Sequence, residues 1–171
     1  MKLTGLRRCP EGREIYPYEM REMAPVGSWV SLPYPDLRGQ PLAMVMEASP
    51  LSLYMPELTH DGRLQPEKRS YLPKYVAMAK AGLKPPLVDT LEMDDGRIRV
   101  VDGHRRTLAC IEAGLESIRI LMSPLIEVGS KKYPLTLELL QAKAREVAAQ
   151  NREDAQAAND RKGPAHHRMV A

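Results

Sequence analysis

Hydrophobic and polar residues alternate with two different periods along the middle of the chain. Alternation by two predicts strands, whereas apolar residues three and four apart predict amphipathic helices. Glycine and proline separate these segments, as expected for turns and helix ends. The periodic segments are a strand over 51–55, a helix from Pro73 to Gly82, strands over 87–93 and 97–101, a helix over 105–113 and a strand over 117–122. This order predicts an α+β fold with a small mixed sheet and packed helices.

The remaining segments divide the chain around this core, which we place at residues 51–123. Prolines interrupt residues 1–50 every few positions, so we expect a proline-rich N-terminal extension whose only convincing strand covers 42–46. Residues 124–152 have the pattern of a basic linker and a long C-terminal helix, which Pro134 opens and which ends near Gln150. We expect residues 153–171 to form a polar, flexible tail, because Gly163-Pro164 should break a helix there.

Composition narrows the class of protein. The chain has 171 residues, no phenylalanine and ten methionines, so we expect one domain with an aliphatic, methionine-rich core. Its two cysteines, Cys9 and Cys110, lie far apart, which fits a reducing compartment. No apolar stretch has the length of a membrane span or a signal peptide, so a cytoplasmic location without a membrane partner is expected. The net charge of +3 permits a nucleic-acid or nucleotide partner.

The segment with the clearest chemistry lies where the strand over 97–101 is followed by the helix over 105–113. It reads Asp102-Gly103-His104-Arg105-Arg106-Thr107. The first turn of a helix offers backbone N–H groups and the positive end of the helix dipole, an environment that suits phosphate. Gly103 allows close approach of the backbone to an anion, and the two arginines supply charge-assisted contacts. The segment therefore predicts a phosphate site.

Other reactive side chains have simpler interpretations. Cys110 lies within an apolar helical pattern and is expected to be a small buried residue. His60 falls in a Gly-containing turn, where a solvated side chain is expected. His166 and His167 lie in the tail without a cluster of further metal ligands.

Three segments resemble the ParB/sulfiredoxin-like superfamily. They are Gln65-Pro66 ahead of a helix, 81–88 with its Gly-Leu-Lys-Pro-Pro run, and 103–109, which is similar to the Gly-Glu-Arg-Arg-x-x-Ala box of partition proteins. The resemblance covers residues 51–123. It implies a small fold that binds a nucleotide, with the Gly-His-Arg-Arg box around the phosphates. Relatives in this superfamily include CTP-binding partition proteins, sulfiredoxins, nuclease domains and ADP- or ATP-using small-molecule kinases.

Departures from each pattern narrow this choice. Sulfiredoxins carry a cysteine where this chain has Gly103, and no Glu-Asn-x-x-Arg box of partition proteins follows Met122. The turn Asp-Gly-His-x-Arg fits the kinase branch better. That resemblance implies that Asp102 binds Mg²⁺ or orients the attacking hydroxyl, that His104 contacts phosphate and that Arg106 neutralises charge. A second carboxylate is then needed as a base; Glu67 is the candidate and Glu57 its rival.

The leading hypothesis is a ParB-like nucleotide-binding domain that hydrolyses or transfers a phosphoryl group, with CTP, ATP or ADP and with Mg²⁺. Its phosphate-binding residues are Gly103, His104, Arg105, Arg106 and Thr107, and its catalytic residues are Asp102, His104 and Glu67. The alternatives are a noncatalytic DNA-associated regulatory module and a ParB-like nuclease, by analogy an accessory protein of a phage or plasmid. A third hypothesis is a scaffold that forms a homodimer through the C-terminal helix.

Overall fold

The computed structural model describes residues 6–34, 37–56, 59–60, 63–64 and 72–168. The strands are β1 (Arg7–Arg8), β2 (Glu14–Tyr16), β3 (Trp29–Ser31), β4 (Leu42–Ala48), β5 (Thr59–His60), β6 (Arg63–Leu64), β7 (Val88–Glu92), β8 (Ile98–Asp102), β9 (Ile118–Ser123), β10 (Leu125–Val128) and β11 (Lys131–Pro134). The helices are α1 (Leu72–Lys80), α2 (His104–Glu112) and α3 (Leu137–Arg168), with 3₁₀ turns at Tyr18–Met23 and Pro50–Ser52.

Seven strands form one mixed sheet in the order β1-β2-β3-β4-β9-β7-β8. The β2/β3 and β7/β9 pairs are parallel, and the other neighbours are antiparallel. Two hairpins, β5/β6 and β10/β11, lie outside this sheet. The predicted α+β fold with a mixed sheet, packed helices and a long C-terminal helix is confirmed.

Described residues of the proline-rich N-terminal extension belong to the same sheet as strands of the predicted core. They supply β1 to β4, and β4 pairs with β9 in the middle of the sheet over five residue pairs. The prolines are compatible with strands because they flank them. Pro17 follows β2, Pro33 comes shortly after β3 and Pro41 precedes β4. At strand ends a missing N–H costs no ladder hydrogen bond.

The sheet buries both of its faces. Ile120 and Leu121 are neighbours on β9 and therefore point to opposite faces. Ile120 packs with Val88, Val100 and Cys110, so this face is covered by α2. Leu121 packs with residues of the N-terminal segment, including Ala24, which follows the turn at Tyr18–Met23. The site described below lies where β7 begins and β8 ends, between α2 on one face of the sheet and the N-terminal segment on the other.

Two local predictions differ from the structure. Residues 51–55 were expected as a strand, but Pro50–Ser52 forms a 3₁₀ turn with Pro50 at its start, where the fixed φ of proline suits a helical turn. Tyr54 alone then bridges to Arg99. The predicted linker after Pro124 contains the hairpin of β10 and β11, with Gly129 at φ +65° in the turn.

The C-terminal helix is longer than predicted. Its first turn is capped by the Thr136 hydroxyl, which accepts the N–H of Leu139 at 3.2 Å, and Leu137 and Leu140 pack on the core. The helix continues to Arg168 through the predicted break and the predicted flexible tail. Alanines and the i,i+4 pairs Gln150–Asp154 and Gln156–Asp160 favour this extension. Its role in joining two copies stays a prediction.

Within the described residues, no helix combines the length and apolar content that a membrane span needs.

Candidate functional site

Gly103 makes the tight connection between β8 and α2. It is the N-cap residue of α2 and has a φ of +106°, a conformation that L side chains rarely adopt. A Cβ at this position would lie 2.9 Å from Nη2 of Arg106 and 3.2 Å from Cγ1 of Val88. The turn therefore requires glycine for its backbone conformation and for the space beside Arg106.

A cavity of about 440 Å³ opens at the N-terminus of α2. Among the described residues it is lined by Tyr75, Pro86, Asp102, Gly103, His104, Arg105 and Arg106. The structure thus brings four of the five predicted phosphate-binding residues, 103–106, and the predicted metal ligand Asp102 to one cavity. The positive end of the α2 dipole and two guanidinium groups favour an anion there.

Arg106 is held in place by backbone and carboxylate partners. Its Nη1 donates to the carbonyl oxygen of Leu87 at 3.0 Å, and its Nη2 lies 3.7 Å from Oδ2 of Asp102. The N–H of Leu87 in turn donates to the Glu22 carboxylate at 3.1 Å. The Arg106 side chain is 17 % exposed, whereas that of Asp102 is 77 % exposed. The Arg106 guanidinium is therefore oriented by the Leu87 backbone, whereas the Asp102 carboxylate reaches solvent.

Of the remaining predicted site residues, Thr107 and His104 are buried to different degrees at the start of α2. Thr107 is fully buried, and its hydroxyl donates to the Gly103 carbonyl oxygen at 2.9 Å, so it fastens the turn and is not among the described cavity residues. His104 begins α2 half-buried, with Nε2 shielded from solvent. Glu67 and its rival Glu57 lie outside the described residues.

The cysteines and the possible metal ligands have clear positions. Cys9 and Cys110 are both buried free thiols, as expected for Cys110, and burial raises the pKa of the Cys110 thiol. Such a thiol is a poor nucleophile. Within the described part of the chain, no group of three or more histidine, cysteine, aspartate or glutamate side chains is placed to hold a metal ion. Asp102 is the one carboxylate among the described lining residues of the cavity.

Asp89 is a site residue that sequence reasoning missed. It lies on β7 directly opposite Asp102 on β8. Burial raises the pKa of Asp89, and the charge of Asp102 raises it further, while Arg106 and Arg21 act in the opposite direction. The available signal was the position of this aspartate on a strand face that is otherwise apolar, with Leu87, Leu91 and Met93. Its partner across the sheet could not be identified from periodicity.

We expect the Asp89→Asn substitution to raise the melting temperature at neutral pH. The pKa of Asp89 in the folded protein lies above its value of about 3.9 in the unfolded chain. At a pH between these two pKa values, the folded protein therefore binds more protons than the unfolded chain does. The free energy of unfolding therefore falls as pH rises through that interval, and an asparagine removes this fall. Thermal denaturation of both proteins between about pH 4 and pH 8 measures the effect.

The matched control is Asp95→Asn. The Asp95 side chain is exposed, and hydrogen bonds from Arg97 lower its pKa, so its charged form favours the folded state. This substitution should lower the melting temperature at neutral pH, opposite in sign to the change at Asp89. If Asp89→Asn also lowered the melting temperature, the folded state would favour the charged form of Asp89, and the prediction would be wrong.

No family model and no curated protein matches the sequence. Among solved structures, the chain is similar to the C-terminally truncated chromosome-partitioning protein ParB from Caulobacter crescentus complexed with CTP-gamma-S. The identity is 22 %, over 48 % of this chain and 46 % of that chain, with a TM-score of 0.38. For the same protein complexed to the centromeric parS site, the identity is 20 %, over 46 % of this chain and 40 % of that chain, with a TM-score of 0.36.

Sulfiredoxin from Arabidopsis thaliana is also similar, with 21 % identity over 58 % of this chain and 94 % of that chain and a TM-score of 0.36. This chain spans less than half the length of the two partition-protein chains. The chemistry of the cavity is therefore argued from its own residues.

Proposed function

We propose that the cavity at the N-terminus of α2 binds the phosphates of a nucleotide and that the domain hydrolyses or transfers a phosphoryl group. One observation carries this proposal. Five consecutive residues, 102–106, line a cavity of about 440 Å³ at the positive end of a helix and contribute two arginines and a carboxylate to it. A terminal phosphate at a helix N-terminus gains both N–H groups and the dipole.

The two arginines have different roles in this proposal. Arg106 is already oriented by the Leu87 carbonyl oxygen, so little side-chain freedom is lost when it contacts a phosphate oxygen. Arg105 lies one residue earlier, lines the same cavity and is only partly buried. Together they would neutralise the charge that develops on a transferred phosphoryl group. His104 adds a further contact to the phosphates.

Mg²⁺ fits this arrangement through Asp102. Protein sites for nucleotide-bound Mg²⁺ commonly use one or two carboxylates, with the remaining ligands from phosphates and water. Asp102 is 77 % exposed, lines the cavity and forms a 3.7 Å ion pair with Arg106. When bound, the cation would supply charge neutralisation between phosphate oxygens. Asp102 would hold it, and Arg106 would then be released toward the phosphates.

Binding is tested first by thermal shift with CTP, ATP, ADP and GTP, each with and without Mg²⁺, on the full chain. A ligand at about 100 times its dissociation constant adds about 2.7 kcal/mol to the free energy of unfolding, which a melting curve detects. A panel in which none of the four raises the melting temperature would contradict the proposal. Binding without release or transfer of phosphate would instead favour the noncatalytic regulatory module, whose contact with DNA stays a prediction.

Arg105→Ala is expected to raise the dissociation constant of the best nucleotide about tenfold or more, since a charge-assisted contact contributes about 1.5 to 3 kcal/mol. The matched control is Arg145→Ala, which removes the same charge from an exposed position on α3. It should change the affinity less than about twofold, as expected for screened long-range charge. Titration calorimetry measures both. Equal losses from the two substitutions would assign the effect to net charge rather than to the cavity.

A further inference from the structure

A β-bulge places Asp102 opposite Asp89. Thr90 pairs with Val100, but the next residue of β7, Asp89, pairs with Asp102, so Val101 is an extra residue on β8. Paired residues in a sheet share a face. Without the bulge, Asp102 would pair with Val88 and share the face that α2 covers. The bulge therefore turns Asp102 to the opposite face, beside Asp89, which is a use that bulges often have near active sites.

A second cavity, of about 180 Å³, lies on that face. Asp89 lines it together with apolar and aromatic residues, including Tyr18, Tyr34, Leu32 and Val101. Val101 and Asp102 are consecutive, so the two cavities adjoin at the bulge, one lined by Asp102 and the other by Asp89.

The two cavities differ in charge and polarity. The first carries Arg105 and Arg106 and suits phosphates, whereas the second contains a half-buried carboxylate among rings and aliphatic side chains. A phosphate would be repelled by Asp89, but a hydroxyl group would donate a hydrogen bond to it. Arg21 stacks 4.1 Å from the centroid of the Tyr18 ring and donates to the Tyr18 carbonyl oxygen at 3.1 Å, which fixes one wall of the second cavity.

We propose that the second cavity is the acceptor subsite and that Asp89 accepts the proton of the acceptor hydroxyl. This inference rests on the proposed nucleotide function. The acceptor class is a small neutral alcohol with an apolar body, with water as the acceptor when no alcohol is bound. Asp89 is then the second carboxylate of the site, in the role that the sequence resemblance gave to Glu67.

The transfer balances as follows. The acceptor oxygen forms a bond to the terminal phosphorus, and the bond from that phosphorus to the bridging oxygen breaks. The electron pair of the broken bond leaves with the shortened nucleotide, whose charge is met by Arg105 and Arg106. The proton of the hydroxyl passes to the Asp89 carboxylate and is later released to solvent. No oxidant, reductant or further reactant is required.

Asp89→Asn separates this inference from nucleotide binding. General bases contribute about 10²- to 10⁴-fold to rate, so phosphate release from the best nucleotide with Mg²⁺ should fall at least about 100-fold. The dissociation constant should change less than about threefold, since Asp89 faces the other cavity. A rate within about threefold of the unchanged protein overturns the role of Asp89. Equal losses of binding and rate also overturn it.

The acceptor subsite is tested with methanol, ethanol, 1-propanol and 1-butanol as probes, added at equal concentrations to the full chain with nucleotide and Mg²⁺. The ratio of alkyl phosphate to inorganic phosphate, measured by ³¹P NMR, should rise with chain length as the apolar cavity fills. Val101→Phe should lower that ratio at least about fivefold for 1-propanol, because the ring occupies the cavity. A ratio independent of chain length overturns the subsite.

Val128→Phe is the matched control for the acceptor test. Val101 and Val128 are strand valines with similar exposure, 49 % and 45 %, but Val128 lies on the separate β10/β11 hairpin. The control should leave the product ratio unchanged, and an equal loss in both variants overturns the subsite. A protein that binds no nucleotide overturns the proposed function. A protein that binds nucleotide but releases no phosphate overturns the catalytic part of the proposed function as well. A protein that hydrolyses nucleotide at a rate independent of Asp89, or that transfers no phosphate to any alcohol, overturns only this inference.

Discussion

The substitution Gly103→Ala is expected to weaken both the fold and the binding of nucleotide. An alanine at a φ of +106° is strained, and its methyl group would meet Nη2 and Nε of Arg106 at 2.9 and 3.2 Å. Backbone strain of this kind costs about 1 to 3 kcal/mol. Displacement of Arg106 from the Leu87 carbonyl oxygen would add to the loss of affinity, so we expect a dissociation constant at least about tenfold higher.

Gly96→Ala provides the matched control for this prediction. Gly96 also has a positive φ, +86°, in the hairpin turn between β7 and β8, but a Cβ there would meet nothing within 4 Å. This substitution should cost stability through strain alone, about 1 kcal/mol, and should leave nucleotide affinity unchanged. Chemical denaturation and calorimetry measure the two quantities. An equal effect of both substitutions on affinity would show that the space beside Arg106 is unimportant.

Much of the cavity at the N-terminus of α2 could be predicted because its residues are contiguous. A strand that ends at Asp102, a glycine with positive φ and a helix that begins at His104 are local features, and each has a local signal. The sequence pattern cannot, however, assign different roles to neighbouring residues. It places Arg105, Arg106 and Thr107 together in the first turn of one helix. Only the fold shows that Arg106 is anchored, that Arg105 lines the cavity and that Thr107 is buried.

The second carboxylate could not be predicted because it depends on pairing between strands. A one-residue change of register moves a side chain to the other face of a sheet, and no pattern within β7 or β8 specifies the bulge at Val101. The contribution of the first fifty residues is similarly nonlocal. Three-residue strands such as β2 and β3 are too short for a periodic signal, and they are held in place by their neighbours in the sheet.

The Leu87 peptide joins the two layers that pack on opposite faces of the sheet at the site, the 3₁₀ turn at Tyr18–Met23 and α2. Its N–H donates to Glu22, which belongs to the 3₁₀ turn on one face, and its carbonyl oxygen accepts from Arg106 of α2 on the other. Glu22 also lies 3.6 Å from Arg119 on β9. The Leu87 peptide therefore links Arg106 by two hydrogen bonds to the segment that carries Tyr18.

Arg106→Ala should consequently affect stability and nucleotide binding together. The substitution removes the donor to the Leu87 carbonyl oxygen from a side chain that is only 17 % exposed, which should cost about 1 to 3 kcal/mol of unfolding free energy. Loss of the phosphate contact should weaken nucleotide binding by about 1.5 to 3 kcal/mol, or about 10- to 150-fold. Arg106→Lys should restore only part of the stability and part of the nucleotide affinity, because an ammonium group cannot reproduce the planar, two-pronged donor geometry of a guanidinium group.

Arg97→Ala is the control, since Arg97 also pairs with an aspartate, Asp95, at 2.7 Å but is 54 % exposed. An exposed ion pair contributes little because water and salt screen it, so this variant should lose little stability and no affinity. Calorimetry on Arg105→Ala, Arg106→Ala and Arg97→Ala should show a loss of affinity in the first two variants only, and denaturation should show a larger loss of stability in Arg106→Ala than in Arg97→Ala. If Arg106→Ala lost stability but kept its full affinity for nucleotide, Arg106 would only fasten the Leu87 peptide, and the phosphate contacts would fall to Arg105 and the first turn of α2.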